Sequence, residues 1–173
     1  MPVLGILPNK KHAEWGQIEM WRIYILRVFL IFFTFPAYAD VSGTPRIVDG
    51  DTLVIDGTRI RLHGIDAPES KQTCQRDGID WLCGQEASKA LLDYVGDYEL
   101  RCERLDTDRY GRMVARCYRP DGNDIGEWMV SSGWALAYRR YSKDYVDEEA
   151  GAKAAKRGLW AGEFVEPWVW RRR

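Results

Sequence analysis

The sequence predicts a mainly β, α+β domain: a five-stranded OB-type barrel carrying about three α-helices. Three observations predict it. Three short β-branched runs follow one another within about twenty residues, as in a meander. One amphipathic helical stretch separates the third run from the fourth, and the other helical stretches come after the fifth. At 173 residues, with 46% hydrophobic and 13% aromatic residues, the chain can bury one core of ordinary composition, which excludes a disordered protein. No internal repeat or second domain is visible.

The first two runs, residues 44–48 and 52–55, are short and apolar, with Asp49-Gly50-Asp51 turning between them. Asp56-Gly57 is a tight-turn signal, and residues 58–63 form the third strand. There Arg59, Arg61 and His63 alternate with Ile60 and Leu62, so one face is wet and the other packed. Gly64 and Pro68 end regular pairing, because glycine loosens a strand and proline cannot donate to a ladder. Residues 70–81 are polar and without period, and read as a loop. Residues 84–95 place Ala87, Ala90, Leu91, Tyr94 and Val95 at helical spacing, with Gly96 as the cap. Residues 98–104 and 112–118 are the fourth and fifth strands around a turn over residues 106–111. Asp124 caps a short helix to residue 132. Residues 145–157 form a helix with acids first and bases last, as its dipole prefers, and Gly158 stops it. The aromatic stretch 164–170 packs back on the body, and Arg171 to Arg173 read as a frayed basic tail.

The amino terminus carries a different signal. Residues 24–35 are nearly all apolar, broken only by Arg27, and Ala37-Tyr38-Ala39 then has the small-residue pattern of a signal-peptidase site. Residues 1–39 therefore read as a signal-peptide region cleaved near Ala39, which predicts a secreted or periplasmic protein. Residues 40–173 form the single folded domain. Met20-Trp21-Arg22 would make an ordinary leader start, so either Met20 is the true initiator or residues 1–19 extend the leader. The alternative is an uncleaved apolar run that keeps the protein membrane-anchored. The whole chain has a formal net charge of −1. Cleavage would leave 21 basic and 24 acidic residues. That balance argues against tight, extended backbone binding to nucleic acid and suits an enzyme that must release its product.

Cys74, Cys83, Cys102 and Cys117 form no C-x-x-C pair, which argues against zinc. In an oxidising compartment they would pair. Of three possible connectivities, 74–83 with 102–117 fits best. The first two flank one loop, and the last two fall on strands joined by one turn. Free thiols are expected if the leader reading fails.

Three turns carry the chemistry: Asp49-Gly50-Asp51-Thr52, then Arg61 followed by Asp66-Ala67-Pro68-Glu69, then Asp108-Arg109-Tyr110-Gly111-Arg112. In this order they resemble the marks of the staphylococcal-type thermonuclease family: D-G-D-T, R-x-x-x-x-D-x-P-E and D-x-Y-G-R. Each motif alone is weak, and the ordered triple is specific. The resemblance covers roughly residues 45–160. It implies a five-stranded Greek-key barrel with three helices, and a Ca²⁺-dependent nuclease acting on DNA and RNA with little sequence preference. Such a protein would be a monomer whose partner is its nucleic-acid substrate.

The residue types suit that chemistry. Asp51 and Asp66 are hard oxygen ligands from separate turns, and the backbone carbonyl of Ala67 could add a third. The family often has threonine at this neighbour; with alanine only the main chain can serve. The resemblance makes Glu69 the general base. Arg61 and Arg112 could each hold a phosphate by two parallel hydrogen bonds. Arg109, Tyr110, Tyr138 and Tyr141 are candidate substrate contacts, since aromatics beside arginines suit single strands. Plainer roles stand beside these. Asp51 could simply cap a turn, Asp49 supports that turn, Arg61 could pair with Glu69, and His63 is a rival base. At the level of the whole protein the alternatives are a catalytically inactive OB-type nucleic-acid-binding module, anchored or not, and a structural envelope protein.

Overall fold

The computed structural model describes residues 40–173. Residues 1–39, which hold the expected leader and its anchor alternative, lie outside the described residues. Among the described residues no helix is long and apolar enough to cross a membrane.

The fold is the α+β, OB-like arrangement that the sequence predicts, with one strand more in its main sheet. β1 (Val41–Gly43), β2 (Arg46–Asp49), β3 (Thr52–Ile55), β4 (Thr58–Leu62), β8 (Leu100–Thr107) and β9 (Met113–Tyr118) form a six-stranded sheet in the order β1-β8-β9-β4-β3-β2. β2, β3 and β4 are the expected antiparallel meander. Asp56 and Gly57 take φ of 47° and 77° at its second turn, the conformation a two-residue hairpin loop requires. β4 then runs parallel to β9, which demands a long crossover, and α1 (Cys83–Val95) lies within it. The sheet curls so far that a Cβ on Gly43 of β1 would lie 2.9 Å from Ile55 of β3.

Two expectations need correcting. The first run, expected over residues 44–48, is β2 at 46–49 and pairs with β3, while an unexpected strand, residues 41–43, precedes Thr44-Pro45 and pairs with β8. Proline has no N–H for a ladder, so one strand ends and another begins there. The stretch read as a loop contains a hairpin, β6 (Cys74–Arg76) with β7 (Ile79–Trp81). Its turn, Asp77-Gly78, takes φ of 53° and 76°, matching Asp56-Gly57. The same dipeptide signal was therefore present twice.

The core lies between the sheet and the helices. Ala87, Leu91 and Val95 of α1 are buried at a spacing of four, facing Leu53, Ile60, Leu62 and Met113 in one cluster. Asp124 caps α2 (Ile125–Ser131) by accepting from the N–H groups of Gly126 and Glu127. α3 (Val146–Ala154) begins acidic, but Glu149 does more than favour the helix dipole. It is buried and accepts from the N–H of Ala137 at 2.9 Å. That bond steadies β10 (Leu136–Ala137), which pairs with β5 (Ile65–Asp66). A 3₁₀ turn (Gly158–Ala161) and α4 (Pro167–Trp170) complete the chain. Both expected disulfides, Cys74–Cys83 and Cys102–Cys117, are present, the latter between residues directly opposed on β8 and β9.

Candidate active site

The site is built where β4 and β5 end. Arg61 sits opposite Thr52 in the ladder, which brings it beside the acidic turn that precedes β3. Asp66 is opposite Leu136, so its backbone is fixed by the β5–β10 pair. Gly50 presses that acidic turn onto the next one: a Cβ there would lie 2.7 Å from the Cβ of Ala67. This close approach lets the N–H of Ala67 donate to Asp51 Oδ2 at 3.3 Å.

Asp51 and Asp66 converge on one guanidinium. Arg61 Nη2 lies 3.0 Å from Asp51 Oδ2 and 2.7 Å from Asp66 Oδ1, and its Nη1 donates to Asp51 Oδ1 at 3.2 Å. Asp66 is completely buried and Asp51 is 4% exposed. Burial raises the pKa of the Asp66 carboxyl; the nearby Asp51 charge adds to this, while Arg171 and Arg61 oppose it. Burial, then Asp51, also pushes Asp49 up to about 6. Asp49 accepts the N–H of Asp51 and so supports the turn, as expected. The anticipated pairing of Arg61 with Glu69 is replaced by its pairing with the two aspartates.

Among the described residues no three of His, Cys, Asp and Glu cluster as a metal site. The donor set nevertheless suits a hard dication. Two buried carboxylates from separate turns face one cation already, and the Ala67 backbone lies alongside Asp51. Main-chain oxygen and water would have to complete the shell.

Glu69 follows Pro68 on a turn closed by the N–H of Gln72 donating to the Glu69 carbonyl at 2.7 Å. Gln72 is fully buried: its Oε1 accepts from the N–H of Glu69, and its Nε2 donates to the Val165 carbonyl at 2.6 Å. Neither Gln72 nor Arg171 stands out in the sequence as a site residue. Arg171 is not frayed. It donates to Glu69 Oε1 and to Asp66 Oδ2, at 2.6 Å each. Its partners lie more than a hundred positions away, so no local signal could have found them.

Arg112 enters the cleft from the turn between β8 and β9. Its Nε donates to Asp108 Oδ2 at 2.7 Å and its N–H to Asp108 Oδ1 at 3.0 Å. Burial alone would raise the Asp108 pKa, but these bonds and the N–H of Tyr110 hold it below the ordinary carboxylate range. Arg109 and Arg112 both approach the ring of Tyr110, which is 72% exposed. Tyr138 donates its N–H to Gly64, packs edge-on to Tyr141 at 5.0 Å and stacks on Trp168 at 5.4 Å. His63 lies 3.7 Å from Asp144, and burial followed by Arg116 lowers its pKa.

Asp51, Arg61, Ala67, Glu69, Arg109, Tyr110, Arg112, Tyr138 and Tyr141 all line one open cleft of about 1600 Å³, with Asp66 buried behind it. A typical small-ligand pocket is roughly 300–1,000 Å³, so this volume suits a polymer better. Eight arginines line the cleft against five carboxylates, although the chain as a whole is slightly acidic.

The fold and its arginine-rich cleft define an OB-like protein, and comparison with known proteins gives the family. Residues 59–162 match the family described as staphylococcal nuclease homologue, and the chain belongs to that family. It is 34% identical over 142 residues to the succinoglycan biosynthesis protein ExoI of Rhizobium meliloti, covering 80% of this chain and 74% of that protein. It is 38% identical over 160 residues to an uncharacterized endonuclease of Escherichia coli O157:H7, covering 88% and 99%. It is also 35% identical over 155 residues to a micrococcal nuclease of Shigella flexneri, covering 79% and 84%.

Proposed function

We propose that this protein is a nuclease that hydrolyses phosphodiester bonds in DNA and RNA with little sequence preference, using Ca²⁺, after export to an oxidising compartment. What supports the reading is the meeting of Asp51, Arg61, Glu69 and Arg112 on one arginine-rich cleft, with buried Asp66 paired to Arg61. The names of its relatives support the same reaction class. The two disulfides, and the leader-like residues 1–39, support export.

The chemistry follows from the side chains. Glu69 accepts a proton from a water whose oxygen bonds to phosphorus, while the bond from phosphorus to the leaving sugar oxygen breaks. That oxygen takes up a proton as it departs. Arg61 and Arg112 donate N–H bonds to the non-bridging oxygens, where negative charge accumulates. Asp108 holds Arg112 by its Nε, leaving both terminal nitrogens for the phosphate. A divalent cation held by Asp51, Asp66 and the Ala67 carbonyl would supply a Lewis acid at a phosphoryl oxygen. Tyr138 and Tyr141 offer stacking faces that accept any base.

The test is digestion of plasmid and of RNA by the exported protein under Ca²⁺, Mg²⁺, Mn²⁺ and chelator. Cutting should need a divalent ion, and Glu69→Gln should lower kcat by roughly 10²–10⁴-fold. Equal rates with chelator, or a Glu69→Gln variant that cuts at the parental rate, would refute the reading. Amino-terminal sequencing of the exported protein should begin after Ala39.

A further inference from the structure

We propose that Arg171 is a working residue of the cleft, occupying Asp66 and Glu69 at rest and exchanging them for a substrate phosphate when a divalent cation takes Asp66. The proposal rests on the nuclease reading given above. Every carboxylate oxygen of the two candidate ligands already has a donor. Asp51 Oδ1 accepts from Thr52 and Arg61, and Asp51 Oδ2 from the Ala67 N–H. Asp66 Oδ1 accepts from Arg61, and Asp66 Oδ2 from Arg171. A cation reaching Asp66 therefore competes with a guanidinium at either oxygen. Arg171 is the more easily displaced: its side chain is 34% exposed against 18% for Arg61, and it directly follows a helix of only four residues.

The same group occupies one oxygen of the base, since Arg171 Nη1 donates to Glu69 Oε1. Release frees Glu69 to accept a proton. It also leaves a guanidinium in the cleft, which Arg171 lines. A freed guanidinium beside a phosphodiester pairs with it by two parallel bonds. The segment is built to stay there. Buried Gln72 ties the Glu69 turn to Val165, and Trp168 stacks on Tyr138 with ring planes 7° apart. Val165, Trp168 and Arg171 lie beyond the stretch, 59–162, that matches the family.

The experiment uses Arg171→Ala and a variant lacking residues 171–173, both checked for parental melting temperature. Ca²⁺ affinity is read by calorimetry, and Tb³⁺ affinity by luminescence sensitised by the protein's aromatics. Steady-state cleavage of a short single-stranded oligonucleotide gives kcat and KM. Losing a charge-assisted competitor should tighten cation binding about tenfold. KM should rise severalfold, and Arg171→Lys should restore little of it because ammonium cannot form the paired bonds. Unchanged cation affinity overturns the proposal, and so does tighter cation binding with parental KM. A parental protein that neither binds Ca²⁺ nor cuts refutes the nuclease reading itself, and the proposal falls with it.

Discussion

Replacing Gly84 by alanine should damage catalysis without unfolding the protein. Gly84 is the second residue of α1, and it has no Cβ because none fits. A Cβ there would lie 1.8 Å from the Glu69 carbonyl oxygen and 2.5 Å from its carbon, whereas real Cβ contacts stay above 3.0 Å. Opening 1.8 Å to 3.0 Å moves the Glu69 turn, or the helix start, by about 1.2 Å, and a misplacement of about 1 Å can cost roughly 100-fold in rate. Overpacking of this kind destabilises by about 1–3 kcal/mol, offset in part by the better helix propensity of alanine, about 1 kcal/mol. Urea unfolding should therefore show a small loss, while the kcat of plasmid cleavage falls about 100-fold. Gly151→Ala is the control. A Cβ there meets nothing within 4 Å in mid-α3, so this variant should cut normally and gain about 0.5–1 kcal/mol. A Gly84→Ala protein with parental kcat would refute the idea that close approach of α1 sets Glu69.

Other outcomes can be checked alongside. Asp108→Ala should lower kcat/KM by about tenfold, because Arg112 loses the carboxylate that orients it by a charged bond, and Asp108→Asn should recover part of the loss. Reducing Cys74–Cys83 and Cys102–Cys117 should cost roughly 2.5–3 kcal/mol each by chain entropy, seen as a lower urea midpoint; an unchanged midpoint would refute this. Burial and Arg116 lower the His63 pKa in the folded state, so the unfolded chain binds the proton more readily. Stability should then rise with pH from the folded value up to about 6.5 and be lost below it. His63→Gln should flatten that slope in urea melts between about pH 5 and 7.

What could be read beforehand was what is local. Asp51, Asp66 and Glu69 stand in short stretches whose residue types announce themselves, and β3 and β4 show alternation and an Asp-Gly corner. What escaped depends on distant partners. β1 is three residues long and exists because β8, some sixty positions on, accepts it. Gln72 looks like any loop glutamine until Val165, 93 positions away, gives its buried amide an acceptor. Glu149 reads as a helix-start acid, yet its carboxylate serves β10. The β6–β7 hairpin is a different case: its Asp77-Gly78 turn was visible, but short polar strands without alternation gave nothing to attach it to.

The bond from Gln72 to Val165 also dictates timing. The stretch around Glu69 is made early, but its buried amide stays unmatched until residues 163–171 arrive and dock. A molecule crossing a membrane as an unfolded thread, amino end first, would therefore carry an unfinished cutting centre through most of the passage.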